Sequence, residues 1–287
     1  MTDSVHQAAY SALLLTDPDT KIQAVAAMLH QWDENALSSE PGDNDPHPIL
    51  YPGIPEKPQL VDSCYVQLKK VSTPEGHAAL LHTLLHSTFN AINIILDTLY
   101  RFRSMPREFH GVWLRIASEK AGYFQSLRTR LQELHFDYAD FPAHNNLWEV
   151  AIKSAHDPLI RMALFSRLQE ARNLDQIPVA IHKLKSRDDH QSVVILEKIL
   201  HGHIGHIAVG DRWFKKLCHQ HNQRIESTYK MLLIAFDMPR PKPPLYEEAR
   251  LIAGFSPDEL RMLGILSWSE RSCRPDPGSV RKTGSVI

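Results

Sequence analysis

The stretch LEKILHGHIGHIAVGDRWF, residues 196–214, decides the fold. Leu196, Ile199, Leu200, Ile207 and Phe214 recur at the three-and-four spacing of one helical face, and His203, His206 and Gly210 lie on that same face. An apolar stripe interrupted at its middle by an i, i+3 histidine pair is suited to packing against other helices around a polar centre. Three further stretches repeat the design. Residues 74–103 carry Leu81, Leu84, Thr88, Ala91, Ile92 and Ile95; residues 107–135 carry Trp113, Ile116, Lys120, Tyr123, Phe124 and Leu127. Residues 158–173, with a broken continuation to 186, carry Leu159, Met162, Ala163, Ser166 and Glu170, and the helix that opens this section spans 189–222. Strand-like alternation is scarce, so four long helices in succession predict an all-α chain built on a four-helix bundle.

The helix starts are marked chemically. Thr73-Pro74 and Asp157-Pro158 set a capping side chain before a proline at the first helical position. Ser256-Pro257-Asp258-Glu259 adds the glutamate of a capping box. Prolines crowd 41–58 and 239–244, where they exclude helix and read as extended connectors. The expected organisation is an N-terminal helical segment (1–40), a proline-rich arm (41–72), the bundle (73–237) and a C-terminal extension with one short helix and a disordered tail (238–287).

The polar interruptions repeat in register. Position 88 is followed 32 residues later by 120 and then by 123; position 170 is followed 33 residues later by 203 and then by 206. One position on the first helix of a pair and an i, i+3 pair on the second is the layout of carboxylate-bridged di-metal bundles, in which each half supplies Glu and then Glu-x-x-His. Here one half carries Thr88, Lys120 and Tyr123, and the other Glu170, His203 and His206.

Five runs, TPEGHAALLH (73–82), MPREFHGVWLRIASEKAGYF (105–124), DFPAHNNLW (140–148), HDPLIRMALFSRLQEARNLD (156–175) and HIGHIAVGDRWF (203–214), resemble an uncharacterised bacterial ferritin-like family, a domain of unknown function. The resemblance covers about 73–218 and implies a ferritin-like bundle. It also implies glutamate at the positions of Thr88, Lys120 and His203 and histidine at Tyr123, so this chain departs from the pattern at four of six presumed ligand positions. More distantly, the superfamily's tRNA hydroxylases imply di-iron oxygenase chemistry for members that keep the full set.

Charge arithmetic weighs the two readings that follow. An ammonium at position 120 repels a metal cation by about 4 kcal/mol at ~4 Å for an effective dielectric near 20. A buried Glu170 needs a partner, and a Lys120–Glu170 ion pair satisfies both groups without metal, while Tyr123 fills the volume of a histidine. The first reading is therefore a degenerate, metal-free member that binds a protein or small-molecule ligand. The second is a mononuclear iron or manganese oxidoreductase, because Glu170, His203 and His206 make two histidines and one carboxylate. His82 and His86 share a face off the site stripe and read as buried hydrogen-bonding groups.

Composition bounds the rest. Lys+Arg 32 against Asp+Glu 33 lacks the basic excess of a general nucleic-acid binder. Three scattered cysteines form neither a disulfide framework nor a zinc knuckle and suit a reducing compartment. The N-terminal residues lack a basic leader region, and no uninterrupted apolar run approaches about 18 residues. The expectation is a cytoplasmic protein with no membrane partner, with a homodimer left open.

Overall fold

Helix α3 (Pro74–Arg101) begins where the sequence predicts: the Thr73 hydroxyl accepts from the Gly76 amide, and Pro74 fills the first turn. Its neighbour α4 (Arg107–Glu133) starts after Pro106 and packs along α3 more extensively than any other pair in the molecule. The computed structural model describes residues 3–42, 45–66, 69–239, 241 and 245–269, and helices dominate throughout. Strand is confined, among these residues, to a two-residue parallel pairing of Asp3–Ser4 with Leu37–Ser38 and a bridge between Leu60 and Ala143.

The second pair is formed by α8 (His190–Gln220) and the long helical run before it. The expected break in that run is absent. Helix α6 (Pro158–Arg161) passes into a π-helical segment (Met162–Glu170) and then into α7 (Ala171–Lys185), with Pro178 tolerated inside the last. Both the π segment and α7 pack on α8, and α4 contacts α8 to join the two pairs. The π turn also defeats the single-stripe reading, because Leu164, Phe165, Arg167 and Leu168 are buried besides Met162, Ala163, Ser166 and Glu170. An i→i+5 segment re-phases the side chains, so a 3.6-residue stripe cannot describe it.

A buried cation anchors the π segment from the outside. Arg167 pairs with Asp211 at 2.9 Å and Glu259 at 2.5 Å, and its guanidinium lies over the rings of Phe214, Tyr229 and Phe255. The Tyr229 hydroxyl donates to the Arg167 carbonyl at 3.0 Å, supplying a partner to backbone that the π geometry disturbs. Gly210 of α8 is required there, since a Cβ on it would meet Ser166 Oγ at 1.7 Å.

The N-terminal segment is two helices rather than one, α1 (Val5–Leu14) and α2 (Pro18–Asp33), laid on α3 and α4 respectively. Their junction holds Lys21, whose ammonium donates to Leu13 O, Gly53 O and Asn93 Oδ1 at 3.1, 2.6 and 2.5 Å. Three helices were not revealed by the sequence pattern: α5 (Asn146–Lys153) between α4 and α6, and α9 (Ile225–Ala235) and α10 (Glu247–Ile252) after α8. The C-terminal stretch therefore has two helices where one is expected, α10 and α11 (Pro257–Ser269); Arg250 ties α10 to Asp175 of α7 at 2.6 Å. Six residues give too short a period to read, and tertiary contact holds them. The capping box at Ser256 and Glu259 forms in both directions. The expected disordered tail lies outside the described residues. Helices α3 and α8 are long and apolar enough to cross a membrane, but their apolar faces pack against other helices here.

Candidate site around Glu170

Four helical elements converge on Glu170, the last residue of the π segment. Lys120 of α4 donates from Nζ to Glu170 Oε2 at 2.6 Å, with both residues at least 96% buried (1% and 4% exposed). His203 Nδ1 of α8 lies 3.0 Å from the same oxygen, outside hydrogen-bond geometry. One turn on, His206 Nε2 meets Glu119 Oε2 at 2.8 Å, and its Nδ1 is buried without a partner. Tyr123 tilts over the His206 ring at a centroid distance of 6.1 Å, and its hydroxyl closes on Gly202, where a Cβ would sit at 1.9 Å. Thr88 of α3 is buried and spends its hydroxyl on the Leu84 carbonyl. All six positions singled out by the repeated spacing are buried, and a small space of about 10 Å³ is lined by Thr88, Lys120, Glu170 and His203. That is about the room of one water molecule.

The electrostatics follow from this arrangement. Burial alone would raise the Glu170 carboxyl, but the Lys120 ammonium and then His203 outweigh it and hold the group well below the ordinary carboxylate range. Burial, helped by the Lys120 charge, drives His203 down to about 4, so its ring is neutral near neutral pH. His206 is lowered by burial against the opposing hydrogen bond that it donates to Glu119, and Glu119 is lowered by that same bond. Glu119 is the residue that the sequence stripe missed. It sits beside Lys120 at the edge of the face, half in solvent, and only the packing of α4 on α8 brings its carboxylate to His206.

The residues present do not fit a di-metal centre: Thr88 is committed to backbone, and an ammonium occupies one side of the only carboxylate among the six. A single ion is a different test. Glu170, His203 and His206 offer three ligand atoms within 4.8 Å of one another, and a histidine whose outer nitrogen donates to a carboxylate while the inner one is bare is the usual geometry of a metal-binding imidazole.

A larger space adjoins the same carboxylate. A cleft of about 380 Å³ opens between α3, α5 and the start of α7, lined among others by His86, Asn90, His144, Glu170, Arg172 and Asn173. His82 and His86 are buried in hydrogen bonds to Tyr138 and His144, as their off-stripe position implies. His201 is exposed, and Trp213, Phe214 and Phe141 are core.

Comparison with known proteins places the chain. Residues 14–261 match the family described as "Protein of unknown function (DUF455)". An uncharacterized protein of Haemophilus influenzae is 38% identical over 214 residues, covering 72% of this chain and 74% of that relative. No solved structure matches. The match runs from the end of α1 into α11 and so includes every element that builds the site, and on this evidence the chain belongs to the DUF455 family.

Proposed function

We propose that the chain is a ferritin-like four-helix bundle whose di-metal site has been replaced by the Lys120–Glu170 ion pair, and that it works as a cytoplasmic binding protein for a protein or small-molecule ligand. The observation that carries this reading is the 2.6 Å contact between Lys120 Nζ and Glu170 Oε2 deep in the interior. A fixed ammonium at that carboxylate supplies the positive charge a metal would otherwise supply. The space beside it, about 10 Å³, has about the room of one water molecule, too little for an ion that keeps several water ligands while Lys120 stays in place. The adjoining cleft is the natural binding surface, because about 380 Å³ falls within the range of ordinary small-ligand pockets.

Elemental analysis of protein expressed with iron and manganese available tests the reading. The expected result is less than one metal ion per chain, no oxo-bridged di-iron absorption and no loss of stability with chelator. Two tightly held ions per chain would overturn it. A second reading is favoured by one observation, the bare inner nitrogen of His206 opposite its Glu119 bond. On that reading Glu170, His203 and His206 would hold one iron or manganese ion, which would supply Lewis-acid or redox chemistry. One ion per chain, lost in His206→Ala, would select it.

A further inference from the structure

The cleft beside Glu170 holds a pair of side chains that are incompletely satisfied, and their chemistry indicates what the cleft takes. Asn90 is 2% exposed, lines the cleft, and has one amide atom without any partner. Its other amide atom lies 3.0 Å from His86 Nε2. That nitrogen also lies 3.0 Å from the His144 carbonyl, which can only accept, so Nε2 carries the proton, and His86 Nδ1 accepts from the Tyr138 hydroxyl at 2.9 Å. An N–H facing Asn90 calls for the amide oxygen on that side, since the oxygen and nitrogen of an amide are assigned by their partners. The unpartnered atom is then the NH2, which presents two donors to the cleft. Leaving a buried donor unpaired is unfavourable, a cost that a ligand atom can relieve.

Arg172 supplies charge to the same cleft. Its guanidinium donates to Gln169 Oε1 at 3.0 Å and to the Pro239 carbonyl, and among the described residues it makes no ion pair. Two of five N–H donors are used by neutral groups, so the fork keeps donors for an anion. His144, also on the cleft, has Nδ1 buried and unpartnered. Of the two acids lining the cleft, Glu170 is already neutralised by Lys120, and Glu149 is exposed on the α5 wall, where Lys153 also lines the cleft. We infer that the cleft binds a small organic anion whose carboxylate or phosphate oxygens are held by Arg172 and the Asn90 amide. The inference rests on the binding-protein reading above and names the ligand class for it.

Titration calorimetry on the full chain tests it with two probes, glutarate for a carboxylate and glycerol 3-phosphate for a phosphate. At least one is expected to bind with a dissociation constant of about 1 mM or tighter, and the better probe distinguishes the two sources of oxygen. Arg172→Gln, a change at a partly exposed side chain that makes no ion pair among the described residues, is expected to weaken binding at least tenfold without changing the unliganded melting temperature. Asn90→Leu should weaken it as well; if that variant fails to fold, Arg172→Gln decides alone. Failure of both probes to bind at about 10 mM, or binding unaltered in Arg172→Gln, overturns the proposal. Metal content measured on the same samples keeps the two readings separate. An ion at Glu170 with anion binding still dependent on Arg172 would refute the metal-free reading and leave the cleft assignment standing.

Discussion

Two lysines are buried among the described residues, and their surroundings differ in kind. Lys120 lies between the two helix pairs with its ammonium on the Glu170 carboxylate, two histidines nearby and a cleft beyond. Lys21 lies under the N-terminal helices, where its three donors go to two backbone carbonyls and one amide oxygen, and no acid pairs with it among the described residues. The Lys120 charge is answered by an opposite charge. The Lys21 charge is answered by dipoles and by the face of the Phe89 ring at 4.9 Å, with no acid, and burial pushes that ammonium down to about 7. Lys120 is a cation matched to an acid between the two helix pairs, whereas Lys21 is a cation that ties together three chain segments, a staple.

The largest expected effect breaks the first pair. Lys120→Met or Glu170→Leu alone should lower stability by about 3–5 kcal/mol, because each leaves an unpaired buried charge, whereas the double variant should be much milder. A double-mutant cycle on denaturant unfolding reads the coupling; near-neutral, additive single effects would show that the pair contributes nothing. Lys21→Met strands no charge, only three acceptors, and should cost less, about 1–3 kcal/mol.

The pH dependence sharpens the contrast. With Lys21 at about 7 in the folded protein and near 10.4 when unfolded, the unfolded chain binds more protons between those values. Stability from this group therefore rises as pH rises from about 7 to about 10 and is lowest below 7. Lys21→Met should flatten that part of the stability–pH curve, so its deficit grows toward alkaline pH. An unchanged slope in the variant would mean that the three acceptors keep the ammonium charged throughout.

Smaller effects probe how closely the site is packed. Gly202→Ala should cost about 1–3 kcal/mol by driving a methyl group into the Tyr123 hydroxyl, and Tyr123→Phe should recover part of the loss. No recovery would place the strain elsewhere. Most direct for function is Lys120→Glu with Tyr123→His, which restores two of the three ligand types of one half of the repeated spacing, with Thr88 unchanged. It loses at least the stability of the single Lys120 change, because a second carboxylate then faces Glu170. A gain of iron or manganese measured by elemental analysis would support descent from a metal-binding site, and no gain would count against it.

Much of this was legible in the residues. Thr73, Asp157 and Ser256 announced helix starts that the structure keeps, because a cap is a local device that needs only its own turn. The spacing of 88, 120, 123, 170, 203 and 206 predicted six inward positions, since a helical stripe read over several turns averages out local irregularity. The π segment was not legible: nothing in MALFSRLQE breaks an α-helical pattern. Its geometry depends on Arg167 being held by Asp211 and Glu259, residues 44 and 92 positions further along the chain, and on Gly210 letting Ser166 approach. Glu119 escaped for a related reason, since an edge residue acquires a role only from the helix that packs beside it. Short helices such as α10 have too little period to read and exist because Arg250 reaches Asp175.

The sequence by itself determined that the chain is helical, where its long helices begin, and which six side chains face inward, because period and capping act within a few residues. Charge arithmetic already predicted the Lys120–Glu170 pair, but only the tertiary structure decided that Glu119 meets His206 and that Asn90 and Arg172 share a cleft with the Glu170 carboxylate. Those relations depend on how far apart separate helices stand and how each is rotated, and distance across a core is set by the packing of all the helices together.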